Sequence, residues 1–216
     1  MTGSVRIKIC GIRTPDDARA AVGAGADLIG LNFVPDSPRF LDLKQAEAVC
    51  EAVAGEDVER VALFRNAGWD EIENVLRRVD VTRIQFHGDE TEDDLEAVDL
   101  PAIKAIRGAD QEAAETYPGA ILLLDHPHDG GGKGQAWDWS EAEDLIAHGY
   151  DVIVAGGLKP DNVAAALADV GPVLPWGVDV ATGVEGGDFM KDAQLMKDFV
   201  DAVRRYEEED YAEEEA

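Results

Sequence analysis

The sequence predicts a single-domain (β/α)8 barrel, and three observations carry that prediction. Short apolar runs alternate with amphipathic stretches, and the alternation repeats eight times. The 216 residues suffice for one domain and suit a compact barrel. Along the runs, side chains alternate between faces, and the polar ones gather in the last positions. Strict strand–helix alternation implies a parallel sheet, and the eightfold count implies a closed one. An open doubly wound sheet would be expected to carry a glycine-rich fingerprint after its first strand, and "CGIRTPDDA" is not GxGxxG.

In chain order, strands are predicted over residues 5–10, 28–34, 60–65, 83–87, 102–107, 120–125, 151–155 and 176–181. Helices are expected to begin near Thr14, Asp42, Asp70, Thr91, Asp110, Ser140, Pro160 and Asp188. Thr14 before Pro15 reads as an N-cap with proline in the first turn, and Thr91 with Asp94 as a capping box. The barrel is expected to occupy residues 1–206, and "EEEDYAEEEA" (207–216), with seven acids in ten residues, to be a flexible, solvated tail.

Period two sorts the strand faces. Ile7 and Ile9 oppose Lys8 and Cys10; Ile84 and Phe86 oppose Gln85 and His87; Val178 and Val180 oppose Asp179. If the apolar faces pack on helices, Lys8, Cys10, Asn32, Gln85, His87, Lys104 and Asp179 point inward. "ILLLD" is apolar throughout, so placing Asp125 inward with Ile121 and Leu123 is an assumption. Polar groups converging from several strand ends are costly to bury without mutual pairing or a ligand, and that end is where barrel enzymes place chemistry. A lone strand-end cysteine is usually a small buried hydrophobe, and a lone histidine a structural one. The convergence is what moves Cys10 and Asp125 toward function. Cys50, among alanines and valines in a helix, reads as core.

Composition excludes several classes. Forty-six acids against 19 bases give a net charge of −27, which argues against nucleic acid as a partner. Acids interleaved with periodic apolar residues, and 7 lysines against 12 arginines, suggest a surface adapted to high salt, where self-repulsion is screened. No apolar run is long enough to span a membrane, and no signal-peptide pattern opens the chain. Two cysteines imply no disulfide framework and a cytoplasmic setting.

Glycine-bearing turns follow the last two strands: Gly156 and Gly157, then Thr182 and Gly183. Bare backbone amides at such turns bind dianions, and this is the recurrent phosphate position of barrel enzymes. The stretch "HPHDGGGKGQAWDW" (126–139) suits a lid with Trp137 and Trp139 anchoring its far end, or a plain mobile loop. His126, His128 and Asp129 share one loop without a partner elsewhere, so no metal is expected.

Together these residues resemble the phosphoribosylanthranilate isomerase family of tryptophan biosynthesis, from residue 5 to about residue 203. The pieces that carry the resemblance are "KICGIR", "DLIGLNFVPDSPRF", "IQFHGDE", "LLLD" with "GGGKGQAWDW", "VIVAGGLKPDNV" and "GVDVATGVEGGDFMKD". The resemblance implies a cofactor-independent rearrangement of an aminoaldose to an aminoketose, acting on a small phosphorylated aminosugar, by a monomer or homodimer. It implies Cys10 as general base, Asp125 as general acid, Arg39 on the anthranilate carboxylate, Asp179 on ribose hydroxyls, His87 in substrate binding, and Gly156, Gly157, Thr182 and Gly183 on phosphate. A thiolate base needs a lowered pKa, and Lys8 is the expected source of positive field.

Three departures stand out. Gly-Gly-Gly-Lys-Gly replaces the usual GGTG, Ala181-Thr182 replaces a frequent serine pair, and Arg65 stands where an apolar residue is common. Lys8, Arg39, Lys104, Lys133 and Lys159 are expected to form a positive mouth in the negative field. Other phosphosugar isomerase or epimerase barrels, and a non-catalytic phosphosugar-binding barrel, are the alternatives the sequence leaves. The histidine-pathway aminoaldose isomerase uses two aspartates, so Cys10 argues against it.

Overall fold

The computed structural model describes residues 4–127 and 136–214. Eight parallel strands close into one barrel in sequence order: β1 Arg6–Cys10, β2 Leu28–Asn32, β3 Glu59–Phe64, β4 Arg83–Phe86, β5 Ala102–Arg107, β6 Ile121–Asp125, β7 Val152–Val154 and β8 Gly177–Val180. Pairing of β1 with β8, Lys8 opposite Asp179, closes the ring. Each strand falls within or almost on its predicted span. The helices are α1 Pro15–Ala24, α2 Leu43–Ala52, α3 Trp69–Arg78, α4 Glu92–Glu96, α5 Gln111–Thr116, α6 Glu143–Ala147, α7 Val163–Asp169 and α8 Ala193–Glu214.

Four helix starts follow from side-chain caps. Thr14, Asp42 and Thr91 each form a capping box, with Asp17, Gln45 and Asp94, and Asp110 accepts from the Ala113 amide. Such caps contribute about 1 kcal/mol each. Three starts fall later than the sequence suggested. A 3₁₀ turn, Trp139–Ala142, precedes α6. Residues 159–162 close a turn through an amide of Lys159 donating to Asn162 Oδ1, so α7 begins beyond Pro160. Asp188 cannot start α8, because its φ of 56° and that of Phe189 at 57° are left-handed. Asp192 Oδ1 instead accepts from the amides of Gln194 and Leu195.

Residues 207–214 continue α8 without a break. Arg204 pairs with Glu207 at 2.9 Å one turn away, and Glu207 accepts from the Val5 amide, which ties the helix to the start of β1. Glu208, Glu209 and Tyr211 are exposed.

Two apolar layers hold the barrel. Outward residues such as Ile7, Ile9, Ile84, Phe86, Val178 and Val180 pack beneath the helices, while Leu28, Val61, Ile103, Ile121, Leu123 and Ile153 fill the barrel's middle. Asp125 therefore points inward with Ile121 and Leu123. Lys104 does not: its neighbours Ile103 and Ala105 face inward, so period two sends Lys104 into the helical layer. There it is buried, donating to the Gly88 carbonyl and to Glu90, beneath the Tyr117 ring. At the N-terminal mouth, Glu59 accepts from both Arg6 and Arg83, whose guanidiniums lie over the Trp176 ring.

Candidate active site

The C-terminal mouth opens into a cavity of about 340 Å³. Cys10, Asn32, Gln85, His87, Asp125 and Asp179, inward at the strand ends, line it together with Arg39. The thiol of β1 and the carboxyl of β6 thus face one volume. Gly30 makes room for the thiol, because a Cβ there would come within 2.8 Å of Cys10 Sγ.

Lys8 lies fully buried beneath the cavity and donates to Asp179 Oδ1 at 2.7 Å. Burial pushes Lys8 down, but Asp179 and Cys10 carry it above its ordinary value, so it is held as a cation. Cys10 departs from expectation. Burial drives the thiol above its ordinary value, and the opposing pull of Lys8 and Lys191 is not enough to lower it. Desolvation disfavours the thiolate even beside an ammonium group, because Asp179 already answers much of that charge.

Asp125 is nearly buried; its Oδ1 accepts from the His126 amide at 2.8 Å. His87 Nε2 lies 3.3 Å from Asp125 Oδ2, and Gln85 Nε2 sits 3.1 Å from His87 Nδ1. With the amide so oriented, Gln85 donates to Nδ1 and the imidazole proton sits on Nε2, toward the carboxyl. Asn32 folds back, its Oδ1 accepting from the Val34 amide.

Arg39 reaches over the mouth from the segment after β2. It is buried, with Nε and Nη2 donating to Glu185 at 2.6 and 2.8 Å, Nη2 also donating to Thr182 Oγ1 at 3.0 Å, and its guanidinium over the Phe189 ring. Gly11, at a φ of 78°, leaves the space that Arg39 fills. Lys191, its side chain fully buried, donates to Glu185 and to the Ala181 carbonyl, both at 2.8 Å. Burial alone would raise the Glu185 carboxyl; Arg39 and Lys191 together hold it below the usual range. Glu185 and Lys191 stand in the quoted "GVEGGDFMKD" segment, yet the sequence reading gave them no role. Their spacing does not reveal that both turn back under Arg39.

Gly156 and Gly157 follow β7, both at a φ of 76°. Gly183, after β8, presses on the preceding turn so closely that a Cβ there would lie 2.0 Å from the Leu158 carbonyl oxygen. Thr182 and Gly183 therefore sit directly against the Gly156–Gly157 turn. Trp137 and Trp139 donate to the Ala155 carbonyl at 2.9 and 3.3 Å, so they anchor the chain that follows the glycine-rich stretch. The expected lid itself, with His128, Asp129 and Lys133, lies outside the described residues. Among the described residues no cluster suited to a metal ion is present.

Among the described residues, the predicted bases do not form a positive mouth. Lys8 is engaged by Asp179, Arg39 by Glu185, and Lys104 faces the helices; Lys159 pairs with Asp161 at 3.0 Å.

Comparison with known proteins bears on what such a cavity does. The sequence pattern of the family described as N-(5'phosphoribosyl)anthranilate (PRA) isomerase matches residues 7–202. An N-(5'-phosphoribosyl)anthranilate isomerase of Pseudomonas fluorescens is 46% identical over 214 residues, covering 95% of this chain and 98% of its own. One from Myxococcus xanthus is 42% identical, covering 93% and 97%. The crystal structure of phosphoribosyl anthranilate isomerase from Thermus thermophilus superposes with a TM-score of 0.83 at 33% identity, over 93% of this chain and 99% of that one. An isomerase in complex with reduced 1-(o-carboxyphenylamino)-1-deoxyribulose 5-phosphate superposes at 0.82 with 30% identity, over 93% and 99%.

Proposed function

The chain belongs to the N-(5'-phosphoribosyl)anthranilate isomerase family, and from that premise we propose that its cavity performs the aminoaldose-to-aminoketose rearrangement with Cys10 as general base and Asp125 as general acid. The observation that carries this assignment is that β1 and β6 deliver a thiol and a carboxyl to one cavity, beside the paired glycine turns of β7 and β8.

The chemistry needs such a pair. Asp125 gives a proton to the ribose ring oxygen; the C1′–O bond breaks, and the nitrogen lone pair forms a C=N bond. That iminium acidifies C2′–H. The Cys10 thiolate removes the C2′ proton, and the electron pair left behind becomes the C1′=C2′ bond of an enol-amine. Proton transfer from the enol oxygen to C1′ completes the ketose. His87, its Nε2 3.3 Å from Asp125 Oδ2, sits against the carboxyl and limits its orientation, and Asp179 keeps one oxygen for a ribose hydroxyl while the other holds Lys8. Arg39 takes the anthranilate carboxylate, its plane fixed by Glu185. Phosphate binds at Gly156, Gly157, Thr182 and Gly183, where bare amides, and a positive φ at Gly156 and Gly157, allow close approach. Thr182 supplies a hydroxyl where Ala181 cannot. No cofactor takes part in these steps.

One related structure is titled as mutually generated monomers of the dimeric isomerase of Thermotoga maritima. Two free, buried cysteines support a reducing cytoplasmic setting, and no described helix is long and apolar enough to cross a membrane. A net charge of −27 supports an enzyme adapted to concentrated salt.

Loss of phosphoribosylanthranilate fluorescence, followed without cofactor from dilute buffer to molar KCl, tests both readings. Turnover is expected, with kcat/KM first rising as salt screens repulsion of the anionic substrate. Absence of turnover at every salt concentration overturns the reaction; a steady decline with the fold intact overturns the salt adaptation.

A further inference from the structure

Most cations around the cavity already answer a neighbour. Arg39 and Lys191 share Glu185, and Lys8 holds Asp179. Arg65 differs. It stands one position past the end of β3, is exposed, and lines the same cavity as Cys10 and Asp125. Among the described residues it has no hydrogen bond or ion pair. It also lines a smaller adjoining cavity of about 190 Å³, whose far wall carries the exposed Arg107. A guanidinium left free at the mouth of a chain with net charge −27 calls for an anion that arrives with the ligand.

Position around the ring indicates which anion. The phosphate turns follow β7 and β8, and β3 lies four strands from β7, directly across the closed ring. A substrate anchored by phosphate at β7 and β8 turns its other end toward β2, β3 and β4. In the reaction assigned above, that other end is an arylamine carrying a carboxylate. The planar guanidinium fork matches a carboxylate with two parallel N–H···O bonds. Arg39 presents donors from a buried, pinned side chain. Arg65 is unpinned and can close on the carboxylate after the ring has entered.

We propose that Arg65 is a second carboxylate-holding residue of this active site and selects for arylamine substrates that bear an acidic group. The inference rests on the family reaction assigned above.

The test compares two ligands by calorimetry at one fixed KCl concentration. One is reduced 1-(o-carboxyphenylamino)-1-deoxyribulose 5-phosphate; the other is its phenyl counterpart without the carboxyl. In Arg65→Met, affinity for the carboxylated ligand is expected to fall about tenfold, the size of one partly exposed charge-assisted bond, while the phenyl compound changes less than twofold. Arg65→Lys, which keeps the charge and loses the fork, is expected to recover part of the loss. Equal weakening of both ligands, or of neither, overturns the proposal, because a packing role or an action on the shared phosphate would not distinguish them, and full recovery in Arg65→Lys would overturn the fork contact in favour of charge alone. Wild-type chain that binds neither ligand would overturn the family reaction itself, and this inference with it.

Discussion

Each mouth of the barrel carries a glutamate shared by two cations, and the two differ in what the cations face. At the N-terminal mouth, Glu59 accepts from Arg6 and Arg83, both laid over Trp176. None of the four lines either cavity. At the C-terminal mouth, Glu185 accepts from Arg39 and Lys191, and Arg39 lines the 340 Å³ cavity beside Cys10. The lower cluster closes the barrel end with charge satisfied on itself. The upper one holds an arginine still while leaving a donor edge toward open volume. The ion pairs look alike as chemistry; position relative to the cavity separates stability from function.

The largest effect that would break this contrast is at the reacting groups. Cys10→Ala and Asp125→Asn are each expected to lower kcat by a thousandfold or more, on the scale of about 10²–10⁴ for a lost acid or base. Affinity for the reduced product analogue should stay within a few fold, since neither group anchors phosphate or carboxylate. A variant that retained more than a tenth of wild-type kcat would remove that residue from the chemistry.

The two glutamates come next. Glu185→Gln leaves Lys191 and Arg39 with uncompensated buried charge, so a loss of about 3 kcal/mol in urea unfolding is expected. KM should also rise about tenfold, because Arg39 is no longer held in plane. Glu59→Gln acts on a partly exposed cluster and should cost about 1 kcal/mol, with kcat/KM unchanged within twofold. If activity fell equally in both variants, the two mouths would not divide as argued.

How much of this was legible in the sequence follows from what period two can and cannot encode. Alternation placed Cys10, Gln85, His87 and Asp179 inward because each stands against clearly apolar neighbours, and the capped starts at Thr14 and Thr91 were readable from local side-chain chemistry. Lys104 failed because "AIKAIR" is apolar on both faces. Only the packing of Ile103 inside the barrel decides its direction. The start of α8 was missed because backbone handedness at Asp188 has no side-chain signature. The charge density of the acidic run after Tyr206 gives no sign that Arg204 and Glu207 pair one helical turn apart. The sign of the Cys10 shift depends on burial against nearby charge, and strand spacing gives the charge without the burial. Glu185 lies 146 residues from Arg39, a separation no local pattern reports.

The smallest effect concerns pH, and it separates a thiol at the upper mouth from one in the helical layer. Burial raises both Cys10 and Cys50, the latter to about 11. If the Cys10 thiolate is the base, it is a minority species at neutral pH. Turnover also needs the Asp125 proton, so the thiolate population is read directly: alkylation of Cys10 by iodoacetamide should speed up about tenfold per pH unit from pH 7 past the ordinary thiol range. Stability moves the other way. A thiol raised in the fold stays neutral while the same thiol in the unfolded chain ionises, so folding loses free energy as pH rises. For Cys50 that loss runs from the ordinary value of 9.0 to about 11 and amounts to about 3 kcal/mol. Cys50→Ala should flatten the alkaline fall in stability and leave the alkylation profile of Cys10 in place. A Cys10 that stayed unreactive through pH 9 would mean that no thiolate forms there to take the proton. The upper mouth would then need a different base.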